Sequence, residues 1–555
     1  MAPRRIIRTI IQSSLLVSAL LTAIFFLDSR YRVLPTSLHN RFPAPHWHHT
    51  GYVITDIQYQ SCNKVFSSAC TMPDDWSQIE KDVFLGQSIF TRGYVFVKRK
   101  KEEDFDATAG DSMIVDVKVG KIAPTTSGWE GRSGGIWVKR SNKLVDEGVT
   151  SVDLLFGPDA VEVRPQWHMV GNMDAGDQVK LTVRKGQPSV KVERPELRIN
   201  DNMKFKIIQV SDMHLVTGVG KCRDLLPGVS SSGCEADPLT LDYLDKILEI
   251  EKPDLAVVAG DIINGEHAPD AQTALFKMAD LFIRRKVPYA CIFGNHDDLG
   301  NLSREQMMTI LQSLPYSLSQ VGPKLGTDTV SPGGHVQPEG GVGNYLLEVL
   351  AHRSHSHQSA ITLYFFDSHT YAPEKMEYKG RKFRVYDWIK ESQINWFKTE
   401  HDRLEKAHEK YAYMHIDMAF MHIPLPEMRS QTNYFFGKFN EAPTAPFTNS
   451  GLASVLVSHG VSIVSHGHDH TNEMCMLEDE GAQRRQGGLW MCQSGAAGFG
   501  GYATVKGYTA QRKVRLFEVD PQGRRVVSWK REFGNEGVKV DEQVLVSDGR
   551  SQKDR

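Results

Sequence analysis

Five short apolar runs, each breaking off at a side chain that can bind a cation, constrain this chain more than any other feature. FKIIQVSD ends at Asp212, with His214 two residues on; DLAVVAGD ends at Asp261; YACIFGNHDD carries Asn295 and His296; MAFMHIPL carries His422; VSIVSHGHDH carries His468 and His470. Short apolar runs bounded by turn residues read as fully buried strands. Amphipathic stretches such as LTLDYLDKILEIEK and AQTALFKMADLFIRRK lie between them as helices. Buried strands alternating with helices define an α/β layered domain. In such a domain ligands gather outside the carboxyl ends of the strands, so positions spread from 212 to 470 can meet in one crevice.

The donors are carboxylate, amide and imidazole with no thiolate, a mixture that suits Fe, Mn or Zn and disfavours a structural cysteine-type zinc site. Seven ligands hold two cations when one carboxylate bridges them. Asp261, alone at its strand end behind Gly260, is the candidate bridge. Two cations ~3.5–4 Å apart lower the pKa of a shared water, orient a phosphoryl oxygen and neutralise developing charge. Taken singly each motif means little, because Gly, Asn and Asp are also turn residues; their conjunction carries the weight. No GxxxxGK[ST], GxSxG or helix-opening GxGxxG competes with it. His466 reads as a supporting or surface residue, and His267, six residues beyond Asp261, as one that can approach the site.

The rest of the chain reads as appendages to this domain. Residues 1–8 are short and basic, and 9–27 (TIIQSSLLVSALLTAIFFL) hold 19 uncharged positions, enough for a transmembrane signal anchor. Arg4, Arg5 and Arg8 favour a single-pass type II orientation with a translocated body, lumenal (endomembrane or vacuolar) or extracytoplasmic, against the opposing pull of Arg30 and Arg32. Residues 28–50, rich in Pro and His, form a tether. Residues 51–198 alternate apolar and polar positions between Gly-rich breaks, the pattern of an antiparallel β-domain of the sandwich type. The α/β domain occupies 200–533, and 534–555 is a polar, loose tail. Val321 to Gly343 is a Gly/Pro-rich insertion, a lid or a disordered segment; the crowded His352, His355 and His357 read as a polar loop.

Of the seven cysteines, six form sequence-local pairs, Cys62–Cys70, Cys222–Cys234 and Cys475–Cys492, and Cys291 stands alone in an apolar run. Three short disulfides and one buried thiol suit an oxidising compartment, with seven reduced cysteines as the alternative. The sequon Asn301-Leu302-Ser303 is compatible with a lumenal glycoprotein. A net charge of −2 excludes binding to nucleic acid through a global positive field, and a mean hydropathy of −0.35 excludes a polytopic membrane protein.

The order DxH, GD, GNH, H and GHxH resembles the calcineurin-like metallophosphoesterase superfamily. FKIIQVSDMHL, EKPDLAVVAGDIING, GNHDD, LSREQMM, YDWIKESQINWF, HIPLPE and GHDHTN resemble a closer group within it, the purple-acid-phosphatase-like enzymes of plants and the fungal phosphatases linked to the cell cycle. The β-domain is similar to the fungal group more than to the plant one. The resemblance implies a β-sandwich flanked by helices, with one metal on Asp212, His214, Asp261 and His470 and the other on Asp261, Asn295, His422 and His468. His296 would face the substrate as general acid or phosphate stabiliser, with Asp297 orienting it. One departure stands out: true purple enzymes carry a metal-binding tyrosine where this chain has Asn264, and they lack the histidine supplied here by His214, so the purple chromophore is expected to be missing. The implied activity is hydrolysis of phosphomonoesters, phosphoproteins among them, by a metal-activated water. A phosphodiesterase on the same centre, or a scaffold whose β-domain recognises a partner, are the alternatives.

Overall fold

The computed structural model describes residues 12–14, 16–18, 20, 22–24, 51–63, 72–175, 178–188, 192–226, 232–352, 358–373, 375–378, 380–408, 415–430, 432–478 and 487–553. The chain divides into two compact units, one of Met1–Leu154 with Gln166–Lys191, the other of Leu155–Pro165 with Val192–Arg555.

From residue 51 on, the first unit is built mainly of β-strands. Its strands form three three-stranded sheets: Tyr52–Asn63, Thr91–Lys101 and Trp76–Gln78; Met113–Val119, Ile136–Ser141 and Trp129–Arg132; and Val149–Phe156, Val179–Lys185 and Trp167–Asn172. The alternation visible in the sequence puts Val95 and Val97, Val138, and Leu181 and Val183 in the interior, and Phe96 and Thr182 on the opposite faces are buried as well. Bulges at Ile54/Asp56 and Ile114/Asp116 bend the strands. The β-domain read from the sequence is thus built as three small sheets. Among the described residues no helix is long and apolar enough to cross a membrane. Of the anchor expected at 9–27, only 12–14, 16–18, 20 and 22–24 are described, all helical, and the remainder lies outside the described residues.

The second unit contains, in chain order, β1 (Phe205–Val210), α1 (Ala236–Glu251), β2 (Leu255–Ala259), α2 (Ala271–Arg285), β3 (Tyr289–Ile292), α3 (Arg304–Gln312), β4 (Tyr345–Leu350), β5 (Ser359–Phe365), α4 (Glu391–His408), β6 (Ile416–Phe420), α5 (Leu452–Ser458), β7 (Val461–His466), β8 (Cys475–Glu478), β9 (Leu489–Gln493), β10 (Lys513–Asp520), β11 (Arg525–Glu532) and β12 (Val540–Ser547). Two sheets result. One runs β3-β2-β1-β10-β11-β12 with Arg550–Ser551 at its edge; the other runs β4-β5-β6-β7-β9-β8 with Phe435–Phe436 at its edge. In each, the strands that end in candidate ligands are parallel, β1 to β2 and β2 to β3 in one, β6 to β7 in the other. One core joins the two sheets, with Ile207, Val257, Ile292, Leu363, Phe420, Ile463, Trp490 and Phe517 among its members. A second packs α4 and α5 against the outer face of the second sheet through Ile394, Phe397, Leu452, Tyr364 and Val464. This is the expected β-sandwich flanked by helices.

Three expectations are corrected. The tail is not loose, because Val540–Ser547 closes the first sheet with Leu545 and Val546 in its core; the alternation in VDEQVLVS is short and diluted by acidic residues. The α/β unit starts before 200, since Leu197 and Ile199 are buried and hydrogen-bond to Leu350. The insertion 321–343 is ordered as a hairpin, Asp328–Val330 paired with Val336–Pro338, and Val342 N–H donates to Asp367 at 2.8 Å. His48, His49, His355, His357 and Cys70 lie outside the described residues. Cys222–Cys234 and Cys475–Cys492 are disulfides, Cys62 is disulfide-bonded, and Cys291 is a buried free thiol. Cys475 and Cys492 are direct partners on β8 and β9, which explains how a bond fits between them.

Candidate metal centre

The five strand ends converge. Asp212 and His214 follow β1, Asp261 follows β2, Asn295 and His296 follow β3, His422 follows β6, and His468 and His470 follow β7. One donor atom from each of Asp212, His214, Asp261 and His470 lies within 4.8 Å of the others. The same holds for Asp261, His422 and His468, so Asp261 belongs to both groups. Between them, His470 Nε2 is 3.3 Å from Asp212 Oδ1, His422 Nε2 is 3.3 Å from Asp261 Oδ2, and His214 Nε2 is 3.7 Å from Asp261 Oδ2.

Sharp backbone turns produce this crowding. Asp212, His214, Asp261 and His468 all occupy the left-handed region, with φ of 55°, 50°, 47° and 76°. For residues bearing a Cβ that region costs of order 1 kcal/mol or more each, and it persists only where surroundings over-determine it. Here they do. Asp212 N–H donates to Gly260 O and His214 N–H to Asp261 O, both at 3.0 Å. His468 N–H donates to Asp212 Oδ2 at 3.0 Å and His296 N–H to Asp261 Oδ1 at 2.8 Å. Glycines make room at the same place: a Cβ on Gly294 would stand 2.2 Å from Asp261 Oδ1, and one on Gly501 2.4 Å from His470 Cε1.

Tests of fit favour cations at the centre of this cage. Asp212 Oδ1, Asn295 Oδ1, His422 Nε2 and His468 Nε2 are buried without a hydrogen-bond partner, a costly state unless something else meets them. The opposite nitrogens are engaged: His422 Nδ1 meets Ala259 O at 2.9 Å and His470 Nδ1 meets Tyr502 O at 2.7 Å. A carbonyl only accepts, so each Nδ1 carries a proton and Nε2 is the nitrogen that faces the cage. Burial holds His214 and His468 down to about 3, so both are neutral donors at physiological pH. Burial also pulls on His422, but Asp261 and Asp212 outweigh it and lift it to about 9. The two carboxylates thus create a demand for positive charge at Nε2 that a cation also meets.

Around the cage, His296 is half-buried with its ring 5.1 Å from that of His214. Asp297 is placed differently from expectation: Oδ1 accepts from Ile263 N–H at 2.9 Å and Oδ2 from Gly294 N–H at 2.6 Å, so it staples the loop. His466 is fully buried, not at the surface, with Nδ1 3.3 Å from Cys492 O. His267 is exposed and stands outside both donor groups. Asn264 is buried, and its Oδ1 has no hydrogen-bond partner.

Several supporting residues were not singled out by strand-end reasoning. The Tyr502 ring stacks on His470 at 4.0 Å and 9°, and its hydroxyl donates to Glu441. The Tyr386 ring meets His468 edge-on at 4.6 Å and stacks on Tyr371. Arg304 is fully buried, donating to Asp367 and Gly294 O, both at 2.6 Å. The glycine-rich GFGGY at 498–502 was the available signal for Tyr502, because such a run permits close backbone approach.

A sandwich with oxygen and imidazole donors converging from parallel strand ends, one carboxylate common to two groups, defines a two-metal hydrolytic centre. The chain belongs to the calcineurin-like phosphoesterase family, whose pattern matches residues 205–472. Phosphatase DCR2 of Saccharomyces cerevisiae is 34% identical over 418 residues, spanning 73% of this chain and 67% of the yeast protein. Uncharacterized protein C1020.05 of Schizosaccharomyces pombe is 29% identical over 495 residues, 86% of each chain, so that likeness extends into the β unit. Probable inactive purple acid phosphatase 29 of Arabidopsis thaliana is 32% identical over 372 residues, 64% of this chain and 88% of the plant protein.

Proposed function

We propose that the chain is an active dimetal phosphomonoesterase, phosphoproteins being among its substrates. The observation that carries this is the sharing of Asp261 between two donor groups, with Asp212 Oδ1, Asn295 Oδ1, His422 Nε2 and His468 Nε2 buried and without a hydrogen-bond partner. Asp212, His214, Asp261 and His470 would hold one ion and Asp261, Asn295, His422 and His468 the other, of Fe, Mn or Zn. When bound, such a pair activates water and neutralises charge on a phosphoryl group. The chain's own residues do the rest. Asp261 fixes the spacing and through Oδ1 anchors the His296 backbone. His296, half-buried beside His214, would donate a proton to the leaving oxygen or steady the phosphoryl oxygens. Although plant relatives are named probable inactive, every expected donor position is filled here. The two disulfides support an oxidising compartment for this unit.

The test is a panel of mono- and diesters with metals quantified. Asp261→Asn should lose metal and activity together. His296→Ala should keep its metals and lose ~10²–10⁴-fold in kcat. Full metal content in Asp261→Asn would remove the bridging role, and a preference for diesters would remove the monoesterase assignment.

A further inference from the structure

A second histidine cluster lies on the far side of the same sheet. α4 carries His401 and Asp402, and α5 is capped at its C-terminus by His459. One donor atom from each of these three residues lies within 4.8 Å of the other two. The imidazoles stand edge to face with centroids 5.0 Å apart at 88°. The aromatic ring of Phe397 packs on both, at 5.7 Å from His401 and 5.5 Å from His459. This is not part of the dimetal centre: His459 precedes β7 and His468 follows it, and the six-residue strand between them spans about 20 Å.

We infer that His401, Asp402 and His459 form a third cation site, taking a divalent transition-metal ion of the zinc class. His459 has one nitrogen engaged by the protein, and His401 has a buried nitrogen with no partner. His459 Nδ1 lies 2.7 Å from Val455 O, and since that carbonyl can only accept, the proton sits on Nδ1 and Nε2 keeps a lone pair. His401 faces Asp417 Oδ2 through Nε2 at 3.7 Å, while its Nδ1 is buried with no partner. His401 is only 9% exposed, so water does not supply that partner freely. An aromatic pair alone accounts for the ring geometry but not for the orphaned nitrogen or for a carboxylate brought to the same spot.

The pattern is that of a metal ligand: the second nitrogen of His459 is held by a carbonyl, fixing its tautomer and ring orientation, and the Phe397 ring packed on both histidines limits solvent. Two imidazoles and a carboxylate select zinc, copper or nickel over calcium or magnesium. The exposed Asp402 leaves the fourth position open to water. Since α4 and α5 both pack on the second sheet, an ion here ties the two helices together on the outer face and takes no part in hydrolysis.

The test uses the full chain with its dimetal centre loaded, titrated with zinc alone and desalted before metals are counted. The wild type should retain one equivalent beyond the two of the centre, and zinc should raise its melting temperature. His401→Gln and His459→Gln should lose that equivalent and the thermal shift while keeping two metals and full kcat/KM. Because a buried histidine substitution can disturb folding, Asp402→Asn at an exposed position serves as the second variant and should weaken the same equivalent. Asp261→Asn should show the converse, losing the centre and keeping the third equivalent, so that failure of this site and failure of the phosphatase assignment are separately visible. No third equivalent in the wild type, or an undiminished one in the three variants, overturns the inference.

Discussion

Gly501→Ala tests the metal cage by space alone. Gly501 is not in the left-handed region, so a methyl group there adds no backbone strain. Its Cβ would stand 2.4 Å from His470 Cε1 and 2.7 Å from His214 Cδ2, and ordinary contact begins at 3.4 Å. The His470 ring must therefore retreat by about 1 Å, yet Tyr502 stacks against it at 4.0 Å and holds Nδ1 through its carbonyl. The displacement passes to His214 and to the GFGG backbone, which already touches the DMH segment: Gly498 N–H donates to Asp212 O at 3.1 Å. A misplacement of that size at a reacting centre costs roughly 10²-fold, about 2.7 kcal/mol of transition-state stabilisation, while overpacking costs about 1–3 kcal/mol of stability. Kinetics on an aryl phosphate, metal content and thermal unfolding would be compared with Gly501→Ala and with Gly537→Ala, whose Cβ meets nothing within 4 Å. The expected outcome is a folded Gly501→Ala with sub-stoichiometric metal and kcat/KM down ~10²-fold, beside an unchanged Gly537→Ala. Native metal content and kcat/KM within twofold of wild type would refute the assignment of His214 and His470 as a ligand pair.

Other outcomes follow from groups away from the cage. Glu473 is buried between Lys513 Nζ at 2.8 Å and Lys530 Nζ at 2.6 Å; burial pushes its carboxyl up, but the two lysines outweigh it and hold it at about 2, against an ordinary 4.5. A depressed carboxyl contributes stability that is complete above its unfolded value and lost as pH falls from 4.5 toward 2, about 3 kcal/mol here, so Glu473→Gln should flatten the acid limb of melting temperature against pH. The same substitution leaves Lys513 with Glu532 and Lys530 with Asp541 as their remaining carboxylates and should cost about 3 kcal/mol at neutral pH by denaturant unfolding. Arg304→Met, which strands Asp367 and frees Gly294 O, should destabilise by a similar ~3–5 kcal/mol and lower kcat/KM, with a native profile on either measure counting against it. Replacing Cys475 and Cys492 by alanine opens a link of sequence separation 17 and should cost about 3 kcal/mol, read as a fall in melting temperature smaller than that produced by reductant in the wild type, which also opens Cys222–Cys234.

What could be read from the sequence was whatever repeats locally or ends abruptly. β1, β2 and β3 are apolar runs cut off by ligand residues, and each ends within a residue or two of its motif. Parallel strands buried on both faces have no polar alternation to confuse them with loops. β12 failed the same test because Val540–Ser547 lies at the far side of its sheet, where acidic residues dilute the apolar face. The β unit was legible strand by strand but not sheet by sheet, since alternation says which face is buried and not which strands share it. Tyr502, Tyr386 and Arg304 were invisible for another reason. Their contribution is contact with residues 32, 82 and 63 positions away (His470, His468 and Asp367), and no local periodicity encodes a partner at that distance.

The strained ligands connect the two kinds of information. Gly is the residue expected where a chain must turn left-handed, and Gly260 does so at φ 84°, yet the next residue, Asp261, follows it at 47° with a side chain that no glycine supplies. The same trade recurs at Asp212, His214 and His468. Each position gives up the residue best for the backbone in favour of a donor atom, and each is held by hydrogen bonds reaching across from another strand end. A fold selected for stability alone has no use for four such positions within one cage. Their coincidence with orphaned inward donors places the purpose of the strain in the centre they enclose.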